Sequence, residues 1–198
     1  MTDMHKTDET DLDAIHAAFA AHPRTGFLRP AERARAGHDG PLPIGCGQTS
    51  SQPYTVDAML RLLDVGPGMR VLDVGAGSGW TTALLAHLVG PAGEVRGVEL
   101  EPELVRFGSA NLAATNQDWA SIVPAEPGVL GLPGAAPFDR ILVSAEADEL
   151  PQALVEQLAD GGLMVIPVAG VMLRVRRRAD KIERSKHGYY SFVPLRQG

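Results

Sequence analysis

The sequence predicts an α/β fold, an open and mostly parallel sheet covered by helices on both faces, and three observations carry that prediction. Short, nearly continuous apolar runs alternate with stretches of helical apolar spacing between residues 71 and 168, as a buried parallel sheet with crossover helices requires. The first run leads into a glycine-rich turn, "VLDVGAGSGW". The second ends in a carboxylate, Glu99, 22 residues after Gly77.

The elements follow in order. Residues 1–10 are polar and acidic and read as a mobile tail, leaving a single domain over 11–198 with a helical prelude and loop (11–52) and a core (53–198). "LDAIHAAFAAH" has helical spacing. In "PYTVDAMLRLLDV", Val56, Met59, Leu60 and Leu63 fall at i, i+3, i+4 and i+7, one face of a helix with proline in its first turn. "GPGM" breaks the chain before the strand "RVLDVG". Helix "WTTALLAHLVG", strand "EVRGVEL", helix "PELVRFGSANLAA", strands "SIVPAE" and "FDRILVSAE", helix "PQALVEQLAD" and strand "GLMVIPV" come next. "GVMLRVRRR" and "GYYSFVPL" have no helix between them and read as an antiparallel pair at one edge, giving seven strands in all. Within "RVRRR", Leu173 and Val175 alternate with Arg174 and Arg176, the pattern of an edge strand with a charged, solvated face.

Composition narrows the function. With 44% apolar and 21% charged residues in 198, the chain is an ordinary soluble domain rather than a disordered one. A formal charge of −6 opposes nonspecific attraction to phosphate backbones, so no nucleic-acid partner is expected. Cys46 is the single cysteine, which rules out an internal disulfide or a cysteine metal cluster and agrees with a cytoplasmic location. No run of about 18 apolar residues and no leader-like start is present, so neither membrane insertion nor export is expected. No His or carboxylate spacing points to a metal, and the chain is expected to be a monomer.

In an open parallel sheet, ligands bind outside the carboxyl ends of the strands where strand order reverses. Asp73, Gly75, Gly77 and Gly79 map to that rim, and Glu99 is placed to take both hydroxyls of a ribose. A dinucleotide fingerprint would need glycine at position 80, which is Trp80. The spacing G-x-G-x-G with an acid two residues before it instead suits S-adenosylmethionine, which has a ribose and an amino-acid tail but no phosphates.

"LPIGCGQTSSQPY", followed about 20 residues later by "VLDVGAGSGW", resembles the protein-L-isoaspartate O-methyltransferases. The resemblance extends through "FLRP", "HDGPLPIG", "GVELEPELV", "LGLPGAAPFDRILVSA", "PQALVEQLADGGLMVIPV" and "FVPL". It implies a Rossmann-like class I S-adenosylmethionine-dependent methyltransferase fold. It also implies an enzyme that methylates the carboxylate of isoaspartyl residues in damaged proteins or peptides and leaves S-adenosylhomocysteine. In the family the product ester closes to a succinimide unaided, and hydrolysis returns some normal aspartate. By resemblance, Ser51 is the active-site serine, and Ile44, Gly45 and Gly47 lie along the wall facing the cofactor. Asp73, Gly75 and Gly77 match the motif around its methionine moiety, and Glu99 the ribose acid. The chain departs from the family at "EPG", where relatives read "GDG". Pro127 there replaces the acid that meets the adenine, so Glu126 or water must serve, or cofactor affinity falls. The loop after "VIPV", used by relatives for peptide substrate, is short.

A carboxylate with a pKa near about 4 is already ionised at pH 7, so methyl transfer to it needs alignment and exclusion of water but no general base. Spacing alone favours Ser51 as the N-cap of the helix at Pro53, while the family loop it resembles favours a serine that hydrogen-bonds the substrate carboxylate; both roles could coexist. Backbone pairing of an extended substrate with residues 167–170 is a further expectation. Cys46, His38 and His87 read as bystanders, and Trp80 as a residue packed on a strand. Three competing functions are methylation of a normal aspartate in a dedicated peptide precursor, cofactor binding without turnover, and nicotinamide oxidoreduction, which Trp80 disfavours.

Overall fold

The computed structural model describes residues 6–196. Helix α1 (Lys6–Ala21) and two 3-10 turns, Arg24–Phe27 and Pro30–Arg35, precede a small hairpin of β1 (Leu42–Gly45) and β2 (Gln48–Ser50). The main body then runs α2 (Pro53–Leu63), β3 (Arg70–Val74), α3 (Trp80–Val89), β4 (Glu94–Glu99), α4 (Pro102–Ala113), β5 (Ala120–Pro124), β6 (Phe138–Val143), α5 (Gln152–Val155), β7 (Leu158–Val168), β8 (Val171–Arg178) and β9 (Lys181–Tyr189).

Seven strands form one sheet in the order β5-β4-β3-β6-β7-β8-β9. The first five are mutually parallel, and β8 and β9 close the sheet antiparallel. The chain steps outward from β3 to β5 and then returns to the other side of β3 as β6. Strand order therefore reverses between Val74 and Val143, whose carboxyl ends open the binding crevice.

Alternation along the strands builds a core on each face. Val71, Val95, Leu142 and Val165 face α2 and α3, while Leu72, Val98, Ile141 and Met164 meet Leu154 and Val155 of α5. The α2 stripe of Val56, Met59, Leu60 and Leu63 is at most 1% exposed, each side chain contributing about 1.5–3 kcal/mol of burial. Two arginines from the sheet finish that helix: Arg174 Nε donates to the Leu62 carbonyl at 2.7 Å and Arg140 Nε to the Asp64 carbonyl at 2.8 Å.

Several expectations need correction. The tail expected over 1–10 lies partly outside the described residues, and residues 6–10 belong to α1. The helix expected over "PQALVEQLAD" spans only Gln152–Val155, because the chain from Leu158 already pairs with Phe138. The last strand is Lys181–Tyr189 rather than "GYYSFVPL"; beyond it, Pro194 lacks the N–H that a ladder needs and makes an isolated bridge to Glu146. β8 is consequently one strand in from the edge. The edge itself is β9, whose Lys181, Glu183, Arg184 and Lys186 are exposed charges of the kind that discourage strand addition.

The loop after Val168 is as short as expected, a two-residue turn of Ala169 and Gly170 with φ 46° and 78°. It does not offer a free edge to a substrate. The Pro167 carbonyl accepts from Ala147, the Ala169 amide donates to the Ala147 carbonyl, and the Gly170 carbonyl accepts from Tyr190, so the backbone at 167–170 is already paired. No helix among the described residues is long and apolar enough to cross a membrane.

Candidate active site

A cleft of ≈ 700 Å³ opens at the carboxyl ends of β3, β4 and β6. Its floor is the turn after β3, where Gly75 and Gly77 take φ of 80° and 54°. The Gly75 and Ala76 amides both donate to the Val98 carbonyl, at 2.9 and 3.1 Å, which presses the turn against β4. A Cβ on Gly77 would stand 3.1 Å from Ile44 Cδ1 and intrude on the cleft wall. Gly79 does different work: a Cβ there would lie 2.8 Å from the Gly108 carbonyl oxygen, so this glycine lets α4 pack against the turn.

Glu99, 7% exposed, is oriented by backbone. Its Oε2 accepts from the Gly77 amide at 2.8 Å and its Oε1 from the Glu101 amide at 2.9 Å, leaving each oxygen a further lone pair toward the cleft. Asp73 lies beneath the turn, fully buried, and is not in the lining. Its Oδ2 accepts from the hydroxyls of Thr81 and Thr82 at 2.8 and 2.7 Å, while Oδ1 has no protein partner among the described residues. Burial pushes the Asp73 carboxyl up to about 6, against the opposing effect of those two hydroxyls.

The β1–β2 hairpin forms the facing wall. Ile44 and Thr49 reach the cleft, whereas Gly45 and Gly47 do not line it; with Cys46 they form the tip, all three at positive φ. Arg29 ties the hairpin down, donating to the Ile44 carbonyl at 2.7 Å and to Glu103 of α4 at 2.6 Å. Ser51 follows β2, half-buried, and borders two further cavities of ≈ 330 and ≈ 710 Å³. Thr49 and Ser144 border both of these and the cleft, so the spaces meet there.

Ser51 is not the cap of α2. That place is Gln52, without a side-chain cap bond of its own, and the donor at Tyr54 is satisfied by Asp39 Oδ1 at 3.1 Å. Asp39 Oδ2 accepts from the Gln52 amide group at 3.0 Å, and these bonds hold the Asp39 carboxyl below its ordinary range. The Ser51 hydroxyl has no protein partner among the described residues.

The family model described as Protein-L-isoaspartate(D-aspartate) O-methyltransferase matches residues 1–198. The chain belongs to this family. Among similar proteins, the Protein-L-isoaspartate O-methyltransferase of Methanopyrus kandleri is 47% identical over 186 residues, 91% of this chain and 82% of that one. That of Aeropyrum pernix is 50% identical over 183 residues, covering 90% and 70%. A solved structure from Plasmodium falciparum, a putative protein-L-isoaspartate O-methyltransferase in complex with S-adenosyl-L-homocysteine, superposes with TM-score 0.83 at 27% identity, covering 94% of this chain and 91% of that one. A second protein-L-isoaspartate O-methyltransferase structure gives TM-score 0.84 at 25% identity over 96% of this chain, which spans 63% of its length.

In this methyltransferase Gly75, Gly77, Glu99, Glu126 and Ile44 converge on one cleft, and Glu126 lines it where Pro127 does not. Sequence reasoning missed Thr49, Ser144 and the segment 193–196. Ser144 was findable, since it follows the last residue of β6 at the point of strand reversal. The segment 193–196 was not. It crosses the rim because Glu146 donates its amide to the Val193 carbonyl at 2.8 Å and accepts from the Leu195 amide at 2.7 Å, and Arg196 then pairs with Glu101 at 2.6 Å. Trp80 belongs to the buried cluster that includes Val71, Leu142 and Val165 of the sheet and also meets α1: its Nε1 donates to the His22 carbonyl at 2.9 Å and Phe19 meets it edge-on.

Proposed function

We propose that this chain methylates the free carboxylate of L-isoaspartyl residues in damaged proteins and peptides, with Ser51 in the acceptor site. One observation carries the site: the Ser51 hydroxyl, without a protein partner among the described residues, stands beside the junction where the cofactor cleft meets an open surface cavity. The donor set fits S-adenosylmethionine. Glu99 takes the ribose hydroxyls, Gly75 and Gly77 make room for the methionine end, Asp73 braces the turn from beneath, and Glu126 replaces the missing adenine acid at Pro127. Gly45 and Gly47 shape the hairpin that carries Ile44. When bound, the cofactor supplies a methyl group on a sulfonium, and a carboxylate is nucleophile enough to accept it.

The chain's own residues have two tasks. Ser51 donates to one carboxylate oxygen and fixes the direction of the other, while the hairpin and the segment 193–196 keep bulk water from the reacting oxygen. A single cysteine supports a cytoplasmic setting, the charge of −6 argues against nucleic acid, and the charged β9 edge supports a monomer. The test is methyl transfer by Ser51→Ala. A lost hydrogen bond to a charged group lowers kcat/KM roughly 10- to 150-fold with S-adenosylhomocysteine affinity unchanged; wild-type kinetics in the variant would remove Ser51 from the site.

A further inference from the structure

We infer that Arg24 is a positioning residue for the methyl-acceptor site, acting through the backbone on either side of Ser51. The inference rests on the proposed role of Ser51. Arg24 is 4% exposed, and its guanidinium makes four hydrogen bonds, all to neutral oxygens. Nε donates to Ser50 Oγ at 3.1 Å, Nη2 to the Ser50 carbonyl at 2.8 Å and the Gly40 carbonyl at 2.9 Å, and Nη1 to the His38 carbonyl at 3.0 Å. Its central carbon lies 5.6 Å from the Trp80 ring centroid. A guanidinium withdrawn from water without a bonded acid is costly unless its donors are matched this fully.

Those bonds converge on Ser51 from both sides. Ser50, immediately before it, is held through its hydroxyl and its carbonyl. The segment 38–40, held through two more carbonyls, carries Asp39, which in turn fixes the Gln52 side chain and the Tyr54 amide. Arg24 thus fixes the Ser50–Ser51 peptide plane directly and, through Asp39, the Gln52 side chain and the Tyr54 amide that follow Ser51. Its charge, one residue behind the Ser51 hydroxyl, also has the attractive sign for an anionic acceptor. Lysine would keep the charge and lose the planar fork, so the two contributions separate.

The test is a double-mutant cycle of Arg24→Met and Arg24→Lys with Ser51→Ala, following methyl transfer to an isoaspartyl peptide, S-adenosylhomocysteine affinity by calorimetry and thermal melting. Arg24→Met is expected to lower kcat/KM at least tenfold while cofactor-product affinity moves less than twofold. On the Ser51→Ala background the same substitution should cost less than threefold, because groups acting as a unit are not additive. Arg24→Lys should keep the peptide KM and lose kcat. Equal losses on both backgrounds, or a parallel fall of cofactor-product affinity and activity, would mark general support of the fold and overturn the inference. Should Arg24→Met fail to fold, Arg24→Lys carries the same cycle. Ser51→Ala with wild-type kinetics would overturn the reading of Ser51, and the Arg24 inference with it.

Discussion

The Gly77 amide donates to Glu99 Oε2 at 2.8 Å, so the glycine turn after β3 and the acid that ends β4 form one unit. Either residue alone would be a weak signal; bonded, they present an oriented carboxylate above a floor without side chains. Glu99→Ala removes both the ribose acceptor and the anchor of the turn. Loss of hydrogen bonds to a charged group predicts weaker S-adenosylhomocysteine binding by roughly 10- to 150-fold or more, read by calorimetry. An unchanged affinity would place the ribose elsewhere.

Gly108 is predicted to be intolerant of substitution although it sits inside a helix. A Cβ there would stand 2.7 Å from the Gly77 carbonyl oxygen, so Gly108→Ala must push α4 off the glycine turn. Overpacking of about 1–3 kcal/mol outweighs the gain of up to about 1 kcal/mol in helix propensity. Denaturant unfolding should show a net loss together with weaker cofactor-product binding. Gly134→Ala, at a position where nothing lies within 4 Å, is the control and should change neither.

Asp73 predicts a particular pH dependence. In the unfolded chain it ionises near about 3.9, while burial in the native state raises it to about 6, so between these values the native state holds more protons. Its contribution is therefore present at low pH and is lost as pH rises through about 6. Subtracting the unfolding free energies of Asp73→Asn from those of the wild type should leave a decline of about 2 kcal/mol between pH 4 and 6 and a plateau above 7. A flat difference would show that the buried carboxylate is compensated.

Asp39 caps a helix that it does not belong to. Asp39→Ala should lower the melting temperature, because the Tyr54 amide at the start of α2 loses its acceptor. Because Asp39 also holds Gln52, the peptide KM should rise more than the cofactor affinity falls. A variant that melts lower with both constants unchanged would confine Asp39 to the cap.

Much of this was legible in the sequence for a physical reason: glycines, acids and apolar periodicity are local, and the parallel sheet turns local order into position. The crevice between β3 and β6, the carboxylate Glu99 and the α2 stripe follow from spacing alone. What was illegible depends on long-range partners. Ser51 read as readily as a cap, since Asp39, which takes that task, is brought in by the fold from 15 residues before Tyr54. The final strand was placed too late because the apolar "FVPL" looks more strand-like than the charged "KIERSKHGY", yet an exposed edge favours the latter. Gly108 did leave a trace, a glycine within a helical pattern, whose cost asks for a close neighbour.

The most direct test of the central claim is transfer of labelled methyl from S-adenosylmethionine to one peptide prepared in matched isoaspartyl and aspartyl forms. The account predicts base-labile label on the isoaspartyl form and little on the aspartyl form. Faster labelling of the ordinary aspartyl peptide, or cofactor binding with no label on either, would contradict it.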